Sequence, residues 1–392
     1  MELGLLQNLK TLKEIGKQMK KLTIALLIIS IHSFAQEKVA EVMDFGSKFT
    51  LESKILNETR TYWVRLPASY HNPSYDKQSY PVMYVLDGKS AFFPLLGVVS
   101  FMSEKESVNF QIPEMIVVGV DTENRLKDLT PNPSTKMPSG EEAKTESQKL
   151  MMAGGGGGEA FFKFLTEELF PKIEGDYRTL PYRMYVGHSL GGLTTAYTLL
   201  KHPGIFNSYF SIDGSLWWDN GKYVREASAD LQNMKSKSVQ RFYLSVVDSS
   251  QAGAGNKFHA RCIHQFAQAL KDYGPTNVQS KLDVIKDTDH SSIPLLSWYN
   301  GLRYIFEGYD VSHYSFTTNP NLIESHYANL EKTIGLRMPP PQDVLEIVLH
   351  YLTAPNRFPD KEKALMVAKI GLKYYPKAPF ILEKIEKIES SK

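Results

Sequence analysis

Apolar positions along this 392-residue chain follow two different periods. Near the start they alternate with polar ones: Phe49–Leu56 and Arg60–Leu66 carry the pattern of half-buried antiparallel strands. Further on, uninterrupted apolar runs take over at Pro81–Leu86, Met115–Val120, Tyr182–Val186, Ser208–Ile212 and Phe242–Val247, each suited to a strand buried on both faces. A last strand is expected near Leu282–Ile285. Helical spacing fills the intervals, at Leu95–Met102, Phe161–Ile173, Gly192–Leu200, Ala260–Tyr273 and Pro294–Phe306. Strands alternating with helices predict an α/β fold whose mostly parallel sheet is covered on both faces.

Past Thr317 the strand pattern stops. Four helical stretches follow, about Ile323–Ile334, Gln342–Leu352, Lys361–Tyr374 and Phe380–Ser390, separated by prolines at 339–341, 355 and 376. The expected organisation is an N-terminal extension and signal over residues 1–35, an α/β domain over 42–312, and a small all-helical extension over 318–392. The segment from Asp360 to Pro376 resembles the second half of a tetratricopeptide-type hairpin, although one partial unit makes no repeat array. Its expected role is to cover an apolar edge of the larger domain, with a docking surface for a protein partner as the other reading. The polar stretch Ser134–Gly158 ends in five consecutive glycines without a phosphate-loop lysine, so a flexible loop or lid hinge is expected there rather than a nucleotide cradle.

The N-terminus changes the picture of where the protein works. Met19-Lys20-Lys21 precedes the apolar run Leu22–Ile31, and Ser33-Phe34-Ala35 provides small residues ahead of a cut before Gln36. A run this short does not span a bilayer, so it predicts a cleaved export signal, a periplasmic or secreted product and no stable membrane anchor. The translation start is either Met1 or Met19. A net charge of +2 with no run of like charges argues against a nucleic-acid partner. One cysteine, Cys262, excludes an intrachain disulfide and a cysteine-based zinc site, and it is expected in the core.

The chemistry concentrates at Gly187-His188-Ser189-Leu190-Gly191, placed between the Tyr182–Val186 run and the following helix. Strand, G-x-S-x-G and helix in that order are the pattern of a nucleophile elbow, with Ser189 on a strained turn and small residues on either side. A serine needs a base, and His290, in the loop after the last expected strand, is the candidate. His188 is expected to be structural or solvent-facing. Asp248, ending the Phe242–Val247 run, is the candidate acid; the alternative is that it caps the strand and a Ser–His dyad suffices. The oxyanion would be met by the backbone N–H of Leu190 and by one from the Asp87-Gly88-Lys89 turn, so Gly88 and Lys89 join the candidate site.

These motifs, with Leu66-Pro67-Ala68-Ser69-Tyr70, Tyr84-Val85-Leu86-Asp87-Gly88, Arg125–Pro131 and Ser215-Leu216-Trp217-Trp218, resemble the esterase branch of the α/β-hydrolases that includes siderophore esterases, S-formylglutathione hydrolase and feruloyl esterases. The resemblance spans about Phe49 to Phe306. In that branch the acid usually lies three residues after a glycine that ends the penultimate strand; here Val247 replaces the glycine and Ser250 holds the acid's place. By resemblance Arg125 would hold an anionic or catecholate group at the pocket rim, or else pair with Asp128. Trp217 and Trp218 would stack on a substrate ring, or else pack on the elbow helix.

The expectation is therefore an exported serine esterase that acts on a small-molecule or carbohydrate ester, either a siderophore ester or an acetyl or feruloyl sugar ester, without metal or organic cofactor. The rival reading is a degenerate hydrolase that serves as a binding or scaffold protein through its helical C-terminus.

Overall fold

The computed structural model describes residues 13–20, 45–105, 108–251, 254–310 and 312–390. Residues 13–20 are helical and exposed. The rest of the expected export signal, Lys21–Ala35, lies outside the described residues. No helix among the described residues is long and apolar enough to cross a membrane.

Eight strands form one sheet among the described residues: β1 (Ser47–Ser53), β2 (Glu58–Arg65), β3 (Tyr80–Leu86), β4 (Ile116–Val120), β5 (Thr179–His188), β6 (Ser208–Ile212), β7 (Gln240–Val247) and β8 (Val278–Ile285). Their spatial order is β1-β2-β4-β3-β5-β6-β7-β8. β1 and β2 pair antiparallel, β2 meets β4 antiparallel, and all pairs from β4 to β8 are parallel. This is the α/β-hydrolase architecture expected from the alternation of strands and helices, followed by C-terminal helices.

Period-two alternation explains the two cores. Along β3, Met83 and Val85 face one apolar layer, and Val82, Tyr84 and Leu86 face the other. The first layer is completed by helices α1 (Gly88–Met102) and α5 (Ile293–Ile305). The second is completed by the helical segment over residues 158–176 and by α2 (Leu190–Lys201), α3 (Trp218–Gln232) and α4 (Ala254–Tyr273). Cys262 is buried in the second layer.

The C-terminal helices α6 (Leu322–Ile334), α7 (Gln342–Thr353), α8 (Lys361–Tyr374) and α9 (Pro379–Ser390) continue the first layer. Ile323, Tyr327, Val344 and Phe380 share one apolar cluster with Tyr75, Phe110 and Met115. Polar ties reinforce it: the Gln342 amide bridges the backbone of Asp76, and the Tyr75 hydroxyl donates to Glu346 at 2.6 Å.

The five-glycine run differs from the flexible loop or hinge expected. Gly156 N–H donates to Thr130 Oγ1, Gly157 N–H to Lys127 O, and Gly158 N–H to Thr130 O, all at 2.8–3.0 Å. A methyl at Gly156, where φ is +103°, would sit 2.5 Å from the Pro133 ring. The glycines are there because backbone lies against backbone. A further difference is the helix Glu146–Met152 in the segment expected to be loop; its capping box of Thr145 and Gln148 was a signal in the sequence.

Candidate active site

The parallel strands aim their carboxyl ends at one edge, and the sharp β5–α2 turn places Ser189 there. Its backbone, at φ 59° and ψ −117°, is in a region that costs a non-glycine residue on the order of 1–3 kcal/mol. The surroundings hold it: Ser189 N–H donates to Ile212 O at 3.0 Å, and Ser189 O accepts from Ser215 N–H at 2.8 Å. Gly187 has to be glycine, since a methyl there would fall 2.2 Å from the Gly191 carbonyl. Strain and tight packing together leave the hydroxyl clear of the turn.

His290 lies on the loop between β8 and α5, and the structure brings it to the serine. Its Nε2 is 3.0 Å from Ser189 Oγ. Its Nδ1 is 2.6 Å from Oδ2 of Asp213, not of Asp248. Asp248 instead turns its carboxylate to the Ser250 N–H at 3.0 Å, on a part-exposed corner. The expectation for the acid is thus corrected. The physical reason is topological: β6 is next to β5, so the residue that follows β6 lies under the base loop, whereas the end of β7 is turned toward β8.

Asp213 is 2% exposed, and its carboxylate also accepts the Val247 N–H at 3.2 Å. Burial by itself would raise its pKa, but the His259 and His290 imidazoles outweigh burial and hold it well below the usual carboxylate range. His259, from α4, places Nε2 3.1 Å from Asp213 Oδ1. Sequence reasoning passed over both Asp213 and His259. An aspartate immediately after an apolar strand run was visible for the first; nothing in the spacing marked the second.

His188 takes the structural of its two expected roles. Its Nε2–H donates to the backbone carbonyl of His290 at 2.7 Å and so pins the base loop to the elbow. Burial, then the neighbouring His290, lowers its pKa to about 4, which keeps the ring neutral across ordinary pH.

The remaining candidates separate. Leu190 N–H opens α2, where the first amides have no intrahelical acceptor. The turn after β3 borders the same elbow: a methyl on Gly191 would lie 3.4 Å from Leu86 Cδ1 and 3.8 Å from Asp87 Oδ2. Gly88 is enclosed, since a methyl added to it would fall within 2.9 Å of the Gly119 backbone and the Trp63 ring, while Lys89 is exposed. Arg125 pairs with Asp87 at 2.8 Å and reaches the His188 carbonyl at 3.3 Å. It does not pair with Asp128, which points inward and is held bidentate by buried Arg60 at 2.6 and 2.8 Å.

Trp217 lines a cavity of about 370 Å³ together with Pro138, Ser189, Ser215, His259 and His290. Trp218, 1% exposed, belongs to the core and donates its indole N–H to Asn132 O at 2.9 Å, which removes it from the substrate-contacting candidates.

Comparison with known proteins places the chain in a family. The model of the family described as "Putative esterase" matches residues 53–271. The chain is 32% identical over 194 residues to the ferri-bacillibactin esterase BesA of Bacillus subtilis, covering 47% of this chain and 63% of that protein. It is 24% identical over 182 residues to the siderophore triacetylfusarinine C esterase of Aspergillus fumigatus, covering 44% of this chain and 56% of that protein. The chain thus spans roughly three fifths of the length of these two curated relatives. Among solved structures, the IroE-like serine hydrolase from Shewanella oneidensis superposes with a TM-score of 0.73 at 26% identity, covering 84% of this chain and 99% of that one.

Proposed function

Since the chain belongs to this esterase family, we propose that it is an exported serine esterase that cleaves siderophore esters through an acyl-enzyme. One observation carries the mechanism: the unbroken line Ser189 Oγ–His290 Nε2, His290 Nδ1–Asp213 Oδ2, with gaps of 3.0 and 2.6 Å. Ser189 attacks the ester carbonyl while His290 Nε2 takes its proton. Asp213, kept anionic by its imidazole neighbours, fixes the ring with its proton on Nδ1 and stabilises the imidazolium. The developing oxyanion meets the Leu190 N–H and the turn after β3; one such donor contributes about 3 kcal/mol to the transition state. His290 then returns the proton to the leaving alcohol, and a water repeats the sequence to free the acid.

The substrate class rests on what the two curated relatives hydrolyse, by their names, and on the open cavity beside Trp217. Export rests on the Met19–Ala35 pattern. The decisive experiment is hydrolysis of ferric and iron-free siderophore esters by the purified protein, with fluorophosphonate labelling of Ser189 alongside acetylated xylan and feruloyl sugars. Labelling that persists in Ser189→Ala, or no cleavage of any ester, overturns the reading.

A further inference from the structure

Acyl transfer uses one face of Asp213, yet a second imidazole is directed at the other. His259 Nε2 is enclosed and has no well-aligned hydrogen bond among the described residues, although it stands 3.1 Å from Asp213 Oδ1. The Asp213 carboxylate, His259 Nε2 and His290 Nδ1 place one donor each within 4.8 Å of one another. We propose that these three residues form an inhibitory site for a borderline-soft divalent ion of the Zn²⁺ type.

Two imidazoles and a carboxylate are a donor set that zinc favours over the hard cations. Bonds of about 2.0–2.2 Å put tetrahedral ligands roughly 3.3 Å apart. The 3.1 Å gap from His259 to Oδ1 is near that spacing, and the 2.6 Å contact from His290 to Oδ2, the carboxylate's other oxygen, would open by about 0.7 Å to admit an ion held by the carboxylate. The cavity lined by these residues supplies the way in and room for water as fourth ligand.

The consequence for hydrolysis follows from tautomers, and this part rests on the esterase reading. As a base, neutral His290 carries its proton on Nδ1 and keeps Nε2 open for the serine proton. A metal on Nδ1 moves that proton to Nε2, so the ring stays neutral, no proton is lost, and Ser189 has no acceptor. The ion also replaces the proton as the partner of Asp213.

Binding is tested apart from catalysis. Calorimetry of Ser189→Ala protein with Zn²⁺ is expected to show one site per chain, since the serine is not a ligand. His259→Ala, and the volume-keeping His259→Gln, should each weaken that site by at least ~10-fold while circular dichroism stays native. Co²⁺ in its place should give the visible absorption of a four-coordinate ion, lost in His259→Gln. With wild-type protein, Zn²⁺ should suppress ester cleavage and a chelator restore it. No binding in Ser189→Ala, or binding in the His259 variants as tight as with His259 intact, overturns the site. An inactive wild type that still binds one Zn²⁺ through His259 would instead overturn the esterase reading and leave the site standing.

Discussion

Two aspartates at opposite ends of the sheet are almost equally buried and have opposite fates. Asp213, 2% exposed, follows β6 at the carboxyl ends of the strands; Asp343, 5% exposed, opens α7 near the amino end of β4. Desolvation is the largest influence on both and pushes both upward. Asp213 has imidazoles at 2.6 and 3.1 Å, which reverse the push. Asp343 faces the negative charge of Glu114, which adds to it and takes its pKa to about 7. Burial sets the cost of a charge, and neighbours decide whether the charge is kept. The catalytic end is built to hold an anion, whereas among the described residues the end under the C-terminal helices offers Asp343 only the weaker pull of Lys105.

The comparison is sharpest where chemistry is at stake. Ser189→Ala or His290→Ala should lower the rate of ester hydrolysis by about 10⁴–10⁶-fold, measured as kcat/KM on p-nitrophenyl esters. Asp343→Asn should leave that rate as it was, because it lies on the opposite edge. If Asp343→Asn falls with the other two, the division of the molecule into two electrostatic ends is wrong.

Asp213→Asn comes next, with an expected loss of about 10⁴-fold in kcat. The amide cannot stabilise the imidazolium and favours the wrong His290 tautomer. Asp248→Asn is the control, since its carboxylate accepts the Ser250 N–H in the Ser249–Gln251 turn and does not meet His290. A larger loss in Asp248→Asn than in Asp213→Asn would return the acid to the end of β7. His188→Ala is a smaller perturbation: it frees the His290 carbonyl and lets the base loop drift, for an expected loss of about 10–100-fold. A fall in kcat with little change in KM would mark the loss as one of alignment.

Most of this arrangement was legible in the order of residues alone. Apolar runs marked the parallel strands, and Ser208–Ile212 and Lys361–Tyr374 matched to the residue. The elbow was legible because its chemistry is local: strand, glycine, serine, glycine and helix are consecutive. The acid was not, because its assignment depends on which strand lies beside β5, a property of sheet order that no local pattern contains. The same limit hid His259, which reaches the site only through the packing of α4. The five glycines misled for a related reason. Glycine permits both mobility and close approach, and only the neighbours at Thr130 and Pro133 tell which is in use.

The smallest expected effect tests the other half of the comparison. An acid whose pKa is higher in the fold than in the unfolded chain holds its proton more tightly when folded. The folded state therefore binds more protons between the ordinary carboxylate range near pH 4 and about pH 7, and stability falls as pH rises through that window. Below it Asp343 is neutral in both states and costs nothing; above it the full penalty for an ionised, enclosed carboxylate beside Glu114 remains. Asparagine imitates the protonated form, and its side-chain oxygen keeps the bond from Val344 N–H. Asp343→Asn should therefore match wild type near pH 4 and be the more stable near pH 8, each tenfold difference in proton affinity between the two states contributing about 1.4 kcal/mol. Thermal unfolding across that range measures it. Curves that stay parallel would mean that Asp343 ionises in the fold as freely as in the unfolded chain, and that the two ends of the sheet treat a buried carboxylate alike.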